Sequence, residues 1–221
     1  HIYHMDFAAM LAYHRSKNAD VTIGMMVVPK SEIHQFGAGI TDKENRIIDW
    51  EEKPKEPKTN LASMGIYVFD RQYLLDALAR DKSEVDFGMH ILPHAIKHDD
   101  VFAYPFYGYW RDVGTIQAYW EANMDLIKEN SGISPQKWEI MTNVEESSKI
   151  FDRAPAKYGS DAKVHCSMIS AGCKIEGTVV NSVLSPGVIV EKGAIVKDSI
   201  LFQDCHIKKG ATVDLAIFDK R

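Results

Sequence analysis

Two carboxylates and a lysine stand directly before a proline in EEKP, residues 51–54, and ten residues after that lysine comes Ser63-Met64-Gly65, a small-residue turn leading into an apolar segment, IYVF. A carboxylate accepts hydrogen bonds from sugar hydroxyls, and an ammonium can sit against a phosphate dianion. Pro54 steers Lys53 away from the helical region toward an extended conformation. Glu52 and Lys53 should then project to opposite sides of a strand end. Ser63 offers a hydroxyl at the same rim, and Gly65 permits close backbone approach. The group could hold a sugar carrying a phosphate. The same residues also describe a solvated hairpin, because Lys and Glu are ordinary surface residues and residues 54–59 read as a loop.

A second stretch, WRDVGT at residues 110–115, places Asp112 at a strand-to-helix corner, where open α/β sheets tend to bind ligands. Oxygen ligands suit Mg²⁺, which commonly bridges carboxylates to phosphates. The alternative is an Asp112 that pairs with Arg111 or caps the turn.

The elements around these stretches follow from periodicity and caps. Asp6 can cap a helix with Phe7, Met10 and Leu11 at helical spacing, and residues 21–28, VTIGMMVV, form the continuous apolar run of a strand covered on both faces. Gly37 and Gly39 break the pattern before a strand at residues 46–50. They form no GxGxxG, and they read either as turn punctuation or as a ligand rim. Asp70 and Asp86 can cap two further helices, short strands are expected at residues 101–104 and 107–110, and Thr115 can cap a helix over 116–128. Residues 129–160 are polar with scattered prolines and read as a linker.

From Ile169 onward an aliphatic residue recurs with glycine between, at Gly172, Gly187, Gly193 and Gly210. This is a hexapeptide-type β-helix signature, built of coils that cannot bury their aliphatic faces alone. More coils or a partner are expected to cover its end.

The 221 residues carry a formal charge of −5, with 45% hydrophobic and 26% charged residues. The chain is of globular type, and that charge argues against a nucleic-acid surface, though not against a local pocket for one phosphate. No apolar run approaches a membrane span. Cys166, Cys173 and Cys205 form no CxxC, which suits a reducing, cytoplasmic setting, and the nine histidines form no HExxH. HIYHM reads as the end of a strand, so polypeptide is expected upstream of His1.

Taken together, HIYHMD, FGAGITD, EEKPKEP, LASMGIYVF, DFG, YGYWRDVGT, WEANMDL and RAPAKY resemble the ADP-glucose pyrophosphorylases, or glucose-1-phosphate adenylyltransferases. The resemblance covers nearly the whole chain. It implies α/β followed by β: part of a Rossmann-like nucleotidyltransferase domain over 1–128, the linker, and a left-handed parallel β-helix over 161–221. The implied reaction joins ATP and α-D-glucose 1-phosphate into ADP-glucose and pyrophosphate, for glycogen or starch synthesis. The sugar phosphate attacks the α-phosphorus in line, and no protein nucleophile takes part.

Residue by residue, the resemblance gives Lys53 the sugar phosphate and Glu52 the glucose hydroxyls, has Gly37 and Ser63 line that pocket, and makes Asp112 a Mg²⁺ ligand. It further implies a homotetramer and a metabolite effector. Two family features are missing: the GGxGxRLxPLT loop that cradles the nucleotide, and a Gly-Asp pair before His1 whose Asp is the other metal ligand. The 221 residues alone are therefore expected to be inactive. Competing expectations are a nucleotidyltransferase for another sugar 1-phosphate, a non-catalytic regulatory subunit, and a hexapeptide acyltransferase. The last is disfavoured because neither His165 nor His206 has an evident partner.

Overall fold

A computed structural model describes residues 1–81, 83, 86–134, 137–138 and 153–219. The chain divides into two compact units, one of residues 4–108 and one of residues 109–221 together with 1–3.

In the first unit, α1 (Phe7–Ser16) begins where Asp6 accepts hydrogen bonds from the Ala8 and Ala9 amides. It leads into β2 (Val21–Val27), β1 being Ile2–Tyr3 of the other unit. The strands β3 (Gly37–Thr41), β4 (Ile47–Glu52), β5 (Leu61–Phe69) and β6 (Val101–Pro105) complete one mixed sheet in the order β4-β3-β5-β2-β6. β2 runs parallel to β6 and antiparallel to β5. Its first five residues are all buried, as the unbroken apolar run requires of a strand covered on both faces. Asp70 caps α2 (Arg71–Arg80), and Asp86 caps a wide π-type turn, Phe87–Ile91, that passes into α3 (Leu92–His98). Leu92 and Ala95 of α3 join Val21, Ile23, Met25, Ile47, Val101 and Ala103 in the core.

Two local expectations are corrected here. Ser63-Met64-Gly65 is no turn: it lies inside the nine-residue β5, where a bulge between the pairs Ile23–Tyr67 and Met25–Ser63 accommodates Gly65 at φ +70°. Lys53 is not extended but left-handed, at φ +48°. Its amide donates to the Phe36 carbonyl at 3.0 Å, a contact from another strand end that outweighs the local preference set by Pro54.

In the second unit β7 is short, Trp110–Arg111 rather than the longer strand expected, and pairs antiparallel with β1. Thr115 caps α4 (Ile116–Ile127) through the Ala118 amide. The remaining strands form a left-handed parallel β-helix of about four turns. Each face is a four-stranded parallel ladder, for example Lys157–Tyr158, Lys174–Ile175, Ile189–Val190 and His206–Ile207. Val179, Leu184, Val190, Val196 and Leu201 fill the interior. Gly172, Gly187, Gly193 and Gly210 all take φ between +72° and +79°, the corner conformation that glycine adopts without steric cost. α4 packs on this unit through the Trp120 indole, which donates to the Asp198 carbonyl at 2.8 Å.

Candidate functional site

Glu52 ends β4, and in the antiparallel ladder it lies opposite Gly37 of β3. Trp50, two residues earlier on the same face, lies opposite Gly39. The glycines are there because the side chains across from them need the room. A Cβ on Gly37 would fall 2.9 Å from Glu52 Oε2 and closer still to the Trp50 ring. On the other side a Cβ on Gly88 would fall 2.7 Å from Glu52 Cδ. The carboxylate therefore occupies a slot between two glycines, one on a strand and one in the π-type turn. Gly37 is neither simple turn punctuation nor free space.

The charge in that slot is disfavoured. Burial raises the Glu52 pKa, the Lys53 ammonium opposes the rise, Asp86 adds to it, and the Trp50 indole N–H pulls it back. Trp50 Nε1 also donates to the Gly88 carbonyl at 3.0 Å. Lys53 is exposed, and among the described residues its ammonium makes no ion pair or side-chain hydrogen bond. Glu51 points elsewhere: Lys58 reaches it at 2.9 Å and Asp49 at 3.6 Å, which ties the loop after Pro54 back to β4.

Ser63 is buried, and its hydroxyl accepts from the Gly65 amide across the bulge at 3.2 Å. It also reaches the Tyr67 hydroxyl, whose pKa is raised chiefly by burial and further by Glu52 and Asp86. Tyr67 stacks on Phe87 at 5.9 Å. Gly37, Glu52 and Ser63 thus share one sheet, Lys53 follows directly on the end of β4, and Glu52 and Ser63 are linked through the field around Tyr67. Trp50, Tyr67 and Gly88 belong to this site although no sequence expectation placed them there. The DFG triplet was the available signal, since a glycine just after a capping Asp costs helix stability unless close packing requires it.

Asp112 belongs to the other unit. Arg111 does not pair with it but turns to Glu121 at 2.8 Å and Asp125 at 3.0 Å. Tyr109 donates to Asp125 as well, at 3.0 Å, and burial followed by that carboxylate pushes its pKa up to about 12. With Arg111 engaged, Asp112 Oδ1 accepts from the Gly114 amide at 3.0 Å and lies 3.4 Å from His1 Nδ1. Oδ2 has no partner among the described residues. Mg²⁺ commonly takes one or two carboxylates and completes its shell with water and substrate phosphates. A half-exposed carboxylate with one free oxygen fits that place, although among the described residues no three acidic, His or Cys side chains gather into a metal cage.

On the coils the expectation for His206 is corrected: its Nε2 lies 2.7 Å from Glu191 Oε1, and Lys208 lies 3.1 Å from its Nδ1. The other histidine, His165, lies 3.3 Å from the Cys166 thiol.

A family described as nucleotidyl transferase matches residues 1–129, more than half of the chain. The chain belongs to the nucleotidyl transferase family. Residues 148–221 match a second description, the GlmU-like C-terminal hexapeptide. Among curated relatives, the glucose-1-phosphate adenylyltransferase of Desulforamulus reducens is 42% identical over 225 residues, covering 98% of this chain and 55% of the relative. The enzyme of the same name from Thermosipho africanus is 47% identical over 203 residues, 89% of this chain and 48% of the relative. That of Clostridioides difficile is 45% identical over 209 residues, 91% and 53%. The chain spans about half the length of these relatives. Among the described residues no helix is long and apolar enough to cross a membrane.

Proposed function

We propose that this chain supplies the glucose 1-phosphate side of an adenylyl transfer in which ATP and α-D-glucose 1-phosphate give ADP-glucose and pyrophosphate. The observation that carries the reading is the end of β4. A lysine there is held in a conformation that costs an L-residue roughly 1–2 kcal/mol, with its ammonium uncommitted, beside a carboxylate lodged between two glycines. Strain of this kind persists where the surroundings fix it and is characteristic of ligand clamps. The names of the relatives supply the substrate.

In this reading Lys53 takes the phosphate and Glu52 accepts hydrogen bonds from glucose hydroxyls, while Gly37 and Ser63 line the pocket. Asp112 would hold Mg²⁺ through its free Oδ2, and the ion when bound would neutralise charge on the departing pyrophosphate. The protein side of the reaction is positioning and charge compensation, with the sugar phosphate as the nucleophile. The β-helix serves oligomer contacts in a homotetramer, and a metabolite effector acts on the assembly.

The test is Lys53→Ala in the full-length protein. Loss of a charge-assisted contact to a phosphate should raise the Michaelis constant for glucose 1-phosphate by about tenfold or more, with that for ATP unchanged. An unchanged constant for the sugar phosphate would remove Lys53 from the site.

A further inference from the structure

Trp50 does two things at once in the slot that holds Glu52. Its ring occupies the volume opened by Gly37, where any Cβ would collide with it, and its Nε1–H donates to the Gly88 carbonyl at 3.0 Å. That bond joins the end of β4 to the turn that closes the slot from above, and Gly88 is the residue whose missing Cβ leaves space for the Glu52 carboxylate. A carboxylate that must recognise hydroxyls gains selectivity from a fixed orientation, since a hydrogen bond misplaced by a fraction of an ångström is largely lost. A phenylalanine would fill most of the same volume but could not hold the turn.

We propose that Trp50 is a positioning residue for sugar recognition: by latching the Gly88 carbonyl it sets the depth and orientation at which the Glu52 carboxylate meets the sugar hydroxyls. The inference rests on the glucose 1-phosphate reading of this site and adds to it the residues that determine hydroxyl discrimination. Burial already works against the charged form of Glu52 and the indole N–H works for it, so the latch also helps keep the acceptor ionised.

The experiment compares the full-length protein with Trp50→Phe, Gly88→Ala and Glu52→Gln, using glucose 1-phosphate and its galactose and mannose epimers. Trp50→Phe should raise the Michaelis constant for glucose 1-phosphate about tenfold while kcat stays within about twofold and the constant for ATP is unchanged. Its preference for glucose 1-phosphate over the epimers should fall by a similar factor, and the acid limb of the kcat/KM profile should move to higher pH. Gly88→Ala, whose Cβ enters the Glu52 position, should do the same or more, and it decides the matter if Trp50→Phe fails to fold.

Wild-type discrimination and an unmoved acid limb in the folded variants would overturn the positioning role. So would a fall in kcat with both Michaelis constants altered together, which is the mark of general damage. An unchanged constant for glucose 1-phosphate in Glu52→Gln would instead overturn the site reading beneath it.

Discussion

Burial lifts the Glu52 carboxyl above its ordinary value of about 4.5, and Lys53 and Trp50 offset only part of that lift. A carboxyl whose pKa is raised on folding favours the folded state when protonated. Its contribution is therefore fully present below the unfolded value and is lost as pH rises through the folded one. At neutral pH the native protein holds an ionised group in a place that resists ionisation. Glu52→Gln keeps the shape and removes the charge, so its thermal midpoint should exceed that of the wild type at pH 7, with the gap closing toward about pH 4. Equal midpoints at pH 7 would mean that the slot is open enough to water for the charge to cost nothing. The types of Glu52 and Lys53 made them candidates from sequence, but the glycine slot was not legible, because Gly88 meets Glu52 only through tertiary packing.

At the scale of elements, what could be read was what depends on near neighbours along the chain. Asp6, Asp70 and Thr115 cap helices because each side chain reaches amides two or three residues ahead. Lys53 and Gly65 could not be read this way, since a distant carbonyl and a facing strand decide their conformations. The bulge at Gly65 separates Ser63 from Tyr67 by four residues where β2 advances only two, and it lets their hydroxyls meet. Gly65→Ala would force a Cβ into φ +70°, at a cost of about 1–2 kcal/mol. A lower urea midpoint with unchanged slope should measure it. The same variant should weaken glucose 1-phosphate more than ATP, because relieving the bulge displaces Ser63. Unchanged stability would show that β5 can lose the bulge without strain.

Over the whole molecule the glycine period announced the coils, because each coil corner needs a left-handed residue at a fixed place. What ties one coil to the next was hidden. Ser182 Oγ donates to the Val180 carbonyl at 2.7 Å and accepts from the Ser199 amide of the next coil at 3.1 Å. Ser199 repeats this with Lys197 and Ala216, and the Ser167 hydroxyl accepts from the Ser182 amide. A serine looks polar and superficial in the sequence, yet Ser182 and Ser199 are fully buried, and their partners lie 17 residues on. Stability in a stacked array comes largely from such nearest-neighbour terms. Ser182→Ala strands the buried Ser199 amide without an acceptor and should cost about 1–3 kcal/mol. Ser199→Ala strands the amide of Ala216, which is only partly buried and can recover water, so it should cost less. Urea unfolding of the two variants measures the difference directly, and equal or reversed costs would show that burial of the stranded amide does not govern the ladder.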